Sequence, residues 1–128
     1  MFNFSRIKNK VMNLTRGIMQ TPLRYNILKN ETLEATLLSK EAVIIDLRSK
    51  EEYNLLHIKD SINLPNEYLR NNIMNVVPKR DSKIIVYCLT GSRIKDSISI
   101  LNSMGYFNIY IWDNGGLDTF KLSHLLVR

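Results

Sequence analysis

Cys88 is the residue of this chain best placed to do covalent chemistry. It closes the apolar run Lys83-Ile84-Ile85-Val86-Tyr87-Cys88 and is followed by Leu89-Thr90-Gly91-Ser92-Arg93, where a long helical pattern opens. A glycine in such a loop lets the backbone turn and aim successive N–H groups at one point, which makes an anion cradle. The N-terminus of the following helix adds about half a positive charge, and Arg93 adds a full one. All three features favour the thiolate, the nucleophilic form of cysteine, at position 88. The same loop would hold an anionic substrate above the sulfur, so that nucleophile and anion site coincide. Cys88 and Arg93 are then the candidate catalytic pair, and Leu89, Thr90, Gly91, Ser92 and Arg93 the candidate binding residues. The sulfur is expected to lie exposed at the floor of the loop. Taken alone, a free cysteine ending an apolar strand is more often an inert buried hydrophobe. The glycine, the arginine and the helix start together favour reactivity.

The elements around this loop read as alternating strands and helices. Tyr25–Leu28 is a short strand, and Asn30 is a candidate cap for a helix through Leu38 with Glu31 and Glu34 near its positive end. Ala42–Leu47 is a continuous apolar run, as buried parallel strands require. Ser49 is placed to cap a helix over Lys50–Leu56, and Ser61–Leu64 reads as a short strand ending at Pro65. Asn66–Val76 looks helical, Lys83–Cys88 is the strongest strand, and Ser92–Met104 is helical with Gly105 as its stop. Asn108–Trp112 is the last strand, Asp113-Asn114-Gly115-Gly116 a turn, and Leu117–Val127 is predicted to be a final helix. Repeated strand–helix alternation argues an α/β fold with a parallel sheet covered on both faces. In such sheets ligands bind beyond the carboxyl ends of the strands, where Cys88 falls. Asp46 and Arg48 also end a strand, so both are candidates to stand behind the site; the plainer reading is a structural ion pair.

Composition narrows the classes. The 128 residues fit one domain, and 45% hydrophobic with 23% charged residues is ordinary for a globular chain. One cysteine excludes an internal disulfide and a thiolate zinc cage, and the two histidines, His57 and His124, make no ligand spacing, so neither a metal nor a cofactor is expected. No apolar run is long enough to span a membrane and no secretory signal is expected, which points to a cytoplasmic protein with organelle import left open. The net charge of +6 attracts anions of many kinds without choosing among them. It does not by itself argue for nucleic acid, since no motif interleaves aromatic and basic residues. Residues 1–24 form a basic extension with no acidic residue, in which Phe4, Ile7, Val11, Leu14 and Ile18 recur at helical spacing. That amphipathic helix would pack on its own domain (residues 25–128), on a partner, or on a membrane surface.

Four segments, in order, make the chain similar to the rhodanese-like sulfurtransferases. They are Ile44-Ile45-Asp46-Leu47-Arg48 leading to Glu52-Tyr53; His57-Ile58 followed by Ser61-Ile62-Asn63-Leu64-Pro65; the loop Cys88–Arg93; and Leu101 through Gly105-Tyr106, Asn108-Ile109-Tyr110 and Gly115-Gly116, with Phe120 where the family commonly has Trp. The resemblance spans about residues 25–120. It implies a three-layer rhodanese-like fold, a five-stranded parallel sheet flanked by helices.

The resemblance also implies a reaction. Cys88 would take a sulfane sulfur from a small anionic donor, become a persulfide, and pass the sulfur to a thiol acceptor or a sulfur-relay protein. Backbone N–H groups from Leu89 to Arg93 would stabilise the charge, and Arg93 would orient the donor. Two other readings stay open: a non-enzymatic binding or regulatory module, and a phosphatase or arsenate reductase. The dual-specificity phosphatases carry a loop one residue longer, a wider cradle suited to phosphate. Leu56 stands where the family usually has Gly before His-Ile, and Leu89 and Thr90 are uncharged where thiosulfate-specialised relatives often carry a basic residue.

Overall fold

The computed structural model describes residues 22–128. The amphipathic helix expected near the N-terminus lies outside the described residues. In chain order the elements are β1 (Asn26–Leu28), α1 (Asn30–Leu38), β2 (Ala42–Asp46), α2 (Lys50–Leu55), β3 (His57–Ile58), β4 (Ile62–Asn63), α3 (Leu69–Val76), β5 (Lys83–Tyr87), α4 (Ile94–Ser103), β6 (Ile109–Trp112) and β7 (Leu126–Val127). Five strands form one sheet in the order β1-β6-β5-β2-β4, with every pairing parallel.

The sheet is buried on both faces, which is why its central strands read as unbroken apolar runs. Along β5, Ile84 and Val86 join the core beneath α3 and α4, while Ile85 and Tyr87 join the core on the opposite face with Leu33 and Leu37 of α1. β2 and β6 alternate the same way: Ile45 and Ile109 go to the first core, Ile44 and Trp112 to the second. β2 and β5 pair from Ala42↔Lys83 to Asp46↔Tyr87, so Leu47 and Cys88 leave the sheet side by side.

Ser49 caps α2 as expected: its Oγ accepts from the Glu52 N–H and the Glu52 carboxylate accepts from the Ser49 N–H, both at 3.2 Å. Gly105, at φ +93°, ends α4. Other expectations are corrected. Asn30 is the first residue of α1 rather than its cap; Lys29 occupies the cap position without a side-chain bond. Helix α4 starts at Ile94, because Ser92 and Arg93 belong to the loop. Asn66–Val76 divides into a 3-10 turn over Asn66–Tyr68 and then α3.

The predicted final helix is absent. Leu117–Thr119 and Ser123–Leu125 are single 3-10 turns, and Leu126–Val127 is a strand antiparallel to β3. A short apolar run does not settle its own period. Burial of Leu125 in the second core, and the Lys59 N–H donating to the Leu125 carbonyl at 2.8 Å, decide it for extended chain.

Candidate active site

The loop after β5 is built by its carbonyls. Cys88 continues as a strand residue along the segment Gly115–Leu117, in a parallel bridge to Gly116: its N–H donates to the Gly115 carbonyl at 3.0 Å, and its carbonyl accepts from the Leu117 N–H at 2.8 Å. The Leu89 carbonyl accepts from the Asp118 N–H at 3.1 Å, the Thr90 carbonyl from the Asn114 side-chain amide at 3.3 Å, and the Gly91 carbonyl from the Ile94 N–H at 3.2 Å. Four consecutive carbonyls are thus engaged. Of the amides, Gly91 donates to Cys88 Sγ at 3.1 Å, while those of Leu89, Thr90, Ser92 and Arg93 make no hydrogen bond among the described residues. A run of backbone with its acceptors used and its donors spare meets one condition for an anion-binding nest.

Gly91 makes this turn possible. Its φ is +82°, and a Cβ there would stand 2.5 Å from the Asn114 carbonyl oxygen. On the other side, the turn Asp113–Gly116 is fixed by the Gly115 N–H on the Trp112 carbonyl at 2.7 Å and the Gly116 N–H on Asn114 Oδ1 at 2.9 Å. Asn114 is the functional residue that the sequence reading passed over. Its signal was its place before two glycines; its use, one side chain bracing both loops, depends on a contact across 24 residues of sequence.

Cys88 sits deeper than expected, only 1% exposed, packed in the core that contains Ile94 and Ile98. Its strand-like pairing turns the side chain toward that core, and the loop closes over it. Leu89 (47% exposed), Thr90, Ser92 and Arg93 form the outer surface. The Arg93 side chain makes no ion pair among the described residues, while its carbonyl accepts from the Ser97 N–H at 3.0 Å. The candidate loop residues are contiguous around a buried sulfur, with the Arg93 side chain on the exposed surface of the loop.

Asp46 and Arg48 form a buried ion pair. Asp46 accepts from Arg48 Nη2 at 2.9 Å, from Nε at 3.1 Å and from the Arg48 backbone N–H at 2.8 Å. Burial alone would lower the Arg48 pKa; the hydrogen bond and charge of Asp46 more than reverse this and hold the guanidinium above its ordinary value. Arg48 also reaches the Leu56 carbonyl, and the Asn63 side-chain amide donates to the Asp46 and Arg48 carbonyls. The pair thereby fastens the ends of β2 and β4 beside the loop. Burial first, and then the neighbouring Asp46 carboxylate, push the Tyr87 phenol well above its usual 10.0. The neutral hydroxyl of Tyr87, the residue before Cys88, accepts from the Ile58 N–H at 3.0 Å and bonds Ser61 Oγ at 3.2 Å. His57 stacks on Tyr53 with ring centroids 3.7 Å apart and bonds its carbonyl at 2.7 Å, a structural role.

The chain belongs to the rhodanese-like domain family, whose model matches residues 29–121. It is 33% identical to the thiosulfate sulfurtransferase PspE of Escherichia coli K12 over 57% of this chain and 68% of that protein. A tRNA uridine(34) hydroxylase of Erwinia tasmaniensis is 29% identical over 69% of this chain. The chain covers 26% of that hydroxylase, and about a quarter of the length of other curated relatives it matches. Among solved structures, a rhodanese with anions from E. coli superposes with a TM-score of 0.60 at 29% identity, covering 68% of this chain and 98% of that one. Among the described residues no helix is long and apolar enough to cross a membrane, and no group of His, Cys, Asp and Glu is arranged to hold a metal.

Proposed function

We propose that this chain is a sulfurtransferase that carries a sulfane sulfur on Cys88. The observation that carries the reading is the loop of engaged carbonyls and spare amides closed over one sulfur. In the first step the Cys88 thiolate attacks the outer sulfur of a small anionic donor. A new S–S bond forms, and the donor's remainder leaves with the electron pair of the broken bond, as sulfite when the donor is thiosulfate. The amides of Leu89, Thr90, Ser92 and Arg93 stabilise the charge on donor and persulfide, and Arg93 orients the anion. In the second step a thiolate or another nucleophile attacks the outer persulfide sulfur and returns the electron pair to Cys88. Electrons balance across the two steps without a further oxidant or reductant. The uncharged Leu89 and Thr90 favour a donor other than thiosulfate in the cell, and a lone reactive thiol suits a reducing cytoplasm.

The test is mass spectrometry after incubation with several sulfane-sulfur donors. The expected result is a gain of one sulfur, about 32 Da, on Cys88 that cyanide or a thiol removes and that Cys88→Ser abolishes. No adduct with any donor would overturn the reading, and turnover of an aryl phosphate would replace it with a phosphatase.

A further inference from the structure

Asp96 stands in the first turn of α4, three residues beyond Arg93. Arg93 is the cap residue of α4 and its backbone is already helical, so the two side chains start one turn apart, where opposite charges can pair. Here they do not: among the described residues no ion pair joins Arg93 to Asp96. Asp96 Oδ2 instead accepts from Asn66 Nδ2 at 3.0 Å, from a residue 30 positions earlier.

Asn66 is tied to the strand that leads to Cys88. Its N–H donates to the Leu47 carbonyl at 3.1 Å, and the Leu47 N–H donates to the Tyr87 carbonyl at 2.9 Å, one residue before Cys88. Its own Oδ1 is buried with no partner. An unpartnered buried acceptor carries a cost, so the contact that the amide keeps on its other side needs a reason. Holding a carboxylate away from Arg93, the cation of the loop Cys88–Arg93, supplies it.

We propose that Asn66 is a positioning residue: it clamps Asp96 and so leaves the Arg93 guanidinium available to incoming anions at Cys88. This rests on the anion-binding reading of the loop. Without the clamp, Asp96 is free to swing onto Arg93, neutralising it and placing a negative charge at the mouth of the site.

The test compares alkylation of Cys88 by iodoacetate, an anion, with alkylation by iodoacetamide, its neutral analogue. The ratio of the two rates reports attraction of the anion and cancels changes in thiol reactivity. Asn66→Ala lowers the ratio about two- to fivefold, the range for an exposed ion pair gained or lost. Adding Asp96→Asn to Asn66→Ala restores it, and Asp96→Asn alone leaves it at or above the wild-type value. A merely structural role for Asn66 would not be rescued by a second substitution on α4. An unchanged ratio in Asn66→Ala, or no rescue, overturns the proposal. Measured beside these, absence of a Cys88 persulfide in the wild type would sink sulfur transfer while leaving the clamp standing. A Cys88 that neither reagent reaches would overturn both.

Discussion

Replacing Gly91 by alanine tests whether the loop, rather than the sulfur alone, makes the site. The residue has φ +82°, where an L side chain costs about 1–2 kcal/mol. Its new Cβ would meet the Asn114 carbonyl oxygen at 2.5 Å and Cγ at 3.2 Å. That carbonyl belongs to a turn held by three hydrogen bonds, so it cannot yield alone. Relief separates the two loops and breaks the Asn114 bond to Thr90 and one of its companions, at about 1 kcal/mol each. The sum is about 3 kcal/mol, which for a chain of this length lowers the melting temperature by about 10 °C. Persulfide formation falls at least about tenfold with it, since a site displaced by an ångström loses its positioned donors. The control is Gly105→Ala. Its φ is +93°, but its Cβ would meet the side chain of Arg80, at 2.8 Å, and an exposed side chain can move. The melting point drops by about half as much, and sulfur chemistry is unchanged. Calorimetry and persulfide kinetics on the two variants decide it. A Gly91→Ala protein melting within about 2 °C of wild type with an unaltered rate would refute the reasoning.

Three further outcomes follow from the same contacts. Arg93→Ala weakens binding of anionic donors about 10- to 100-fold, as loss of a charge-assisted bond does, with little change in melting temperature because the side chain is exposed; saturation kinetics measure it. Asp46→Asn leaves the buried Arg48 guanidinium without its counter-charge and destabilises the fold by about 3–5 kcal/mol in urea unfolding; a loss under about 1 kcal/mol would contradict the ion pair's role. Tyr87→Phe strands the Ile58 N–H and costs about 1–3 kcal/mol at neutral pH. The phenol's folded pKa lies above its unfolded value of 10.0, so the folded state holds the proton more tightly. Stability from this group is complete below pH 10.0 and declines as pH rises toward the higher folded value. The gap between wild type and Tyr87→Phe in urea unfolding therefore narrows above that pH; a gap that widens would reverse the assignment.

The sequence by itself determined the alternating architecture and the address of the site. The largely apolar runs at Ala42–Leu47 and Lys83–Cys88, short and rich in β-branched residues, read as strands buried on both faces. The order Cys88, Gly91, Arg93 before a helix carries the nest's chemistry in local backbone terms, and the capping box at Ser49 is likewise local. What failed was where local pattern is ambiguous or where a partner lies far along the chain. Leu117–Val127 has helical-looking spacing, but its last residues pair with β3, a partner some 70 residues away. Only the tertiary structure decided that Cys88 is buried rather than exposed, because Gly115–Leu117 folds beside it and takes both of its backbone hydrogen bonds. It alone showed that Asn114 bonds the loop at Thr90 and that Asn66 bonds Asp96, two among many asparagines, through amide contacts that span 24 and 30 residues. Hydrogen bonds of that reach leave no periodic trace in a sequence, since their geometry exists only once the sheet has set the strands in register.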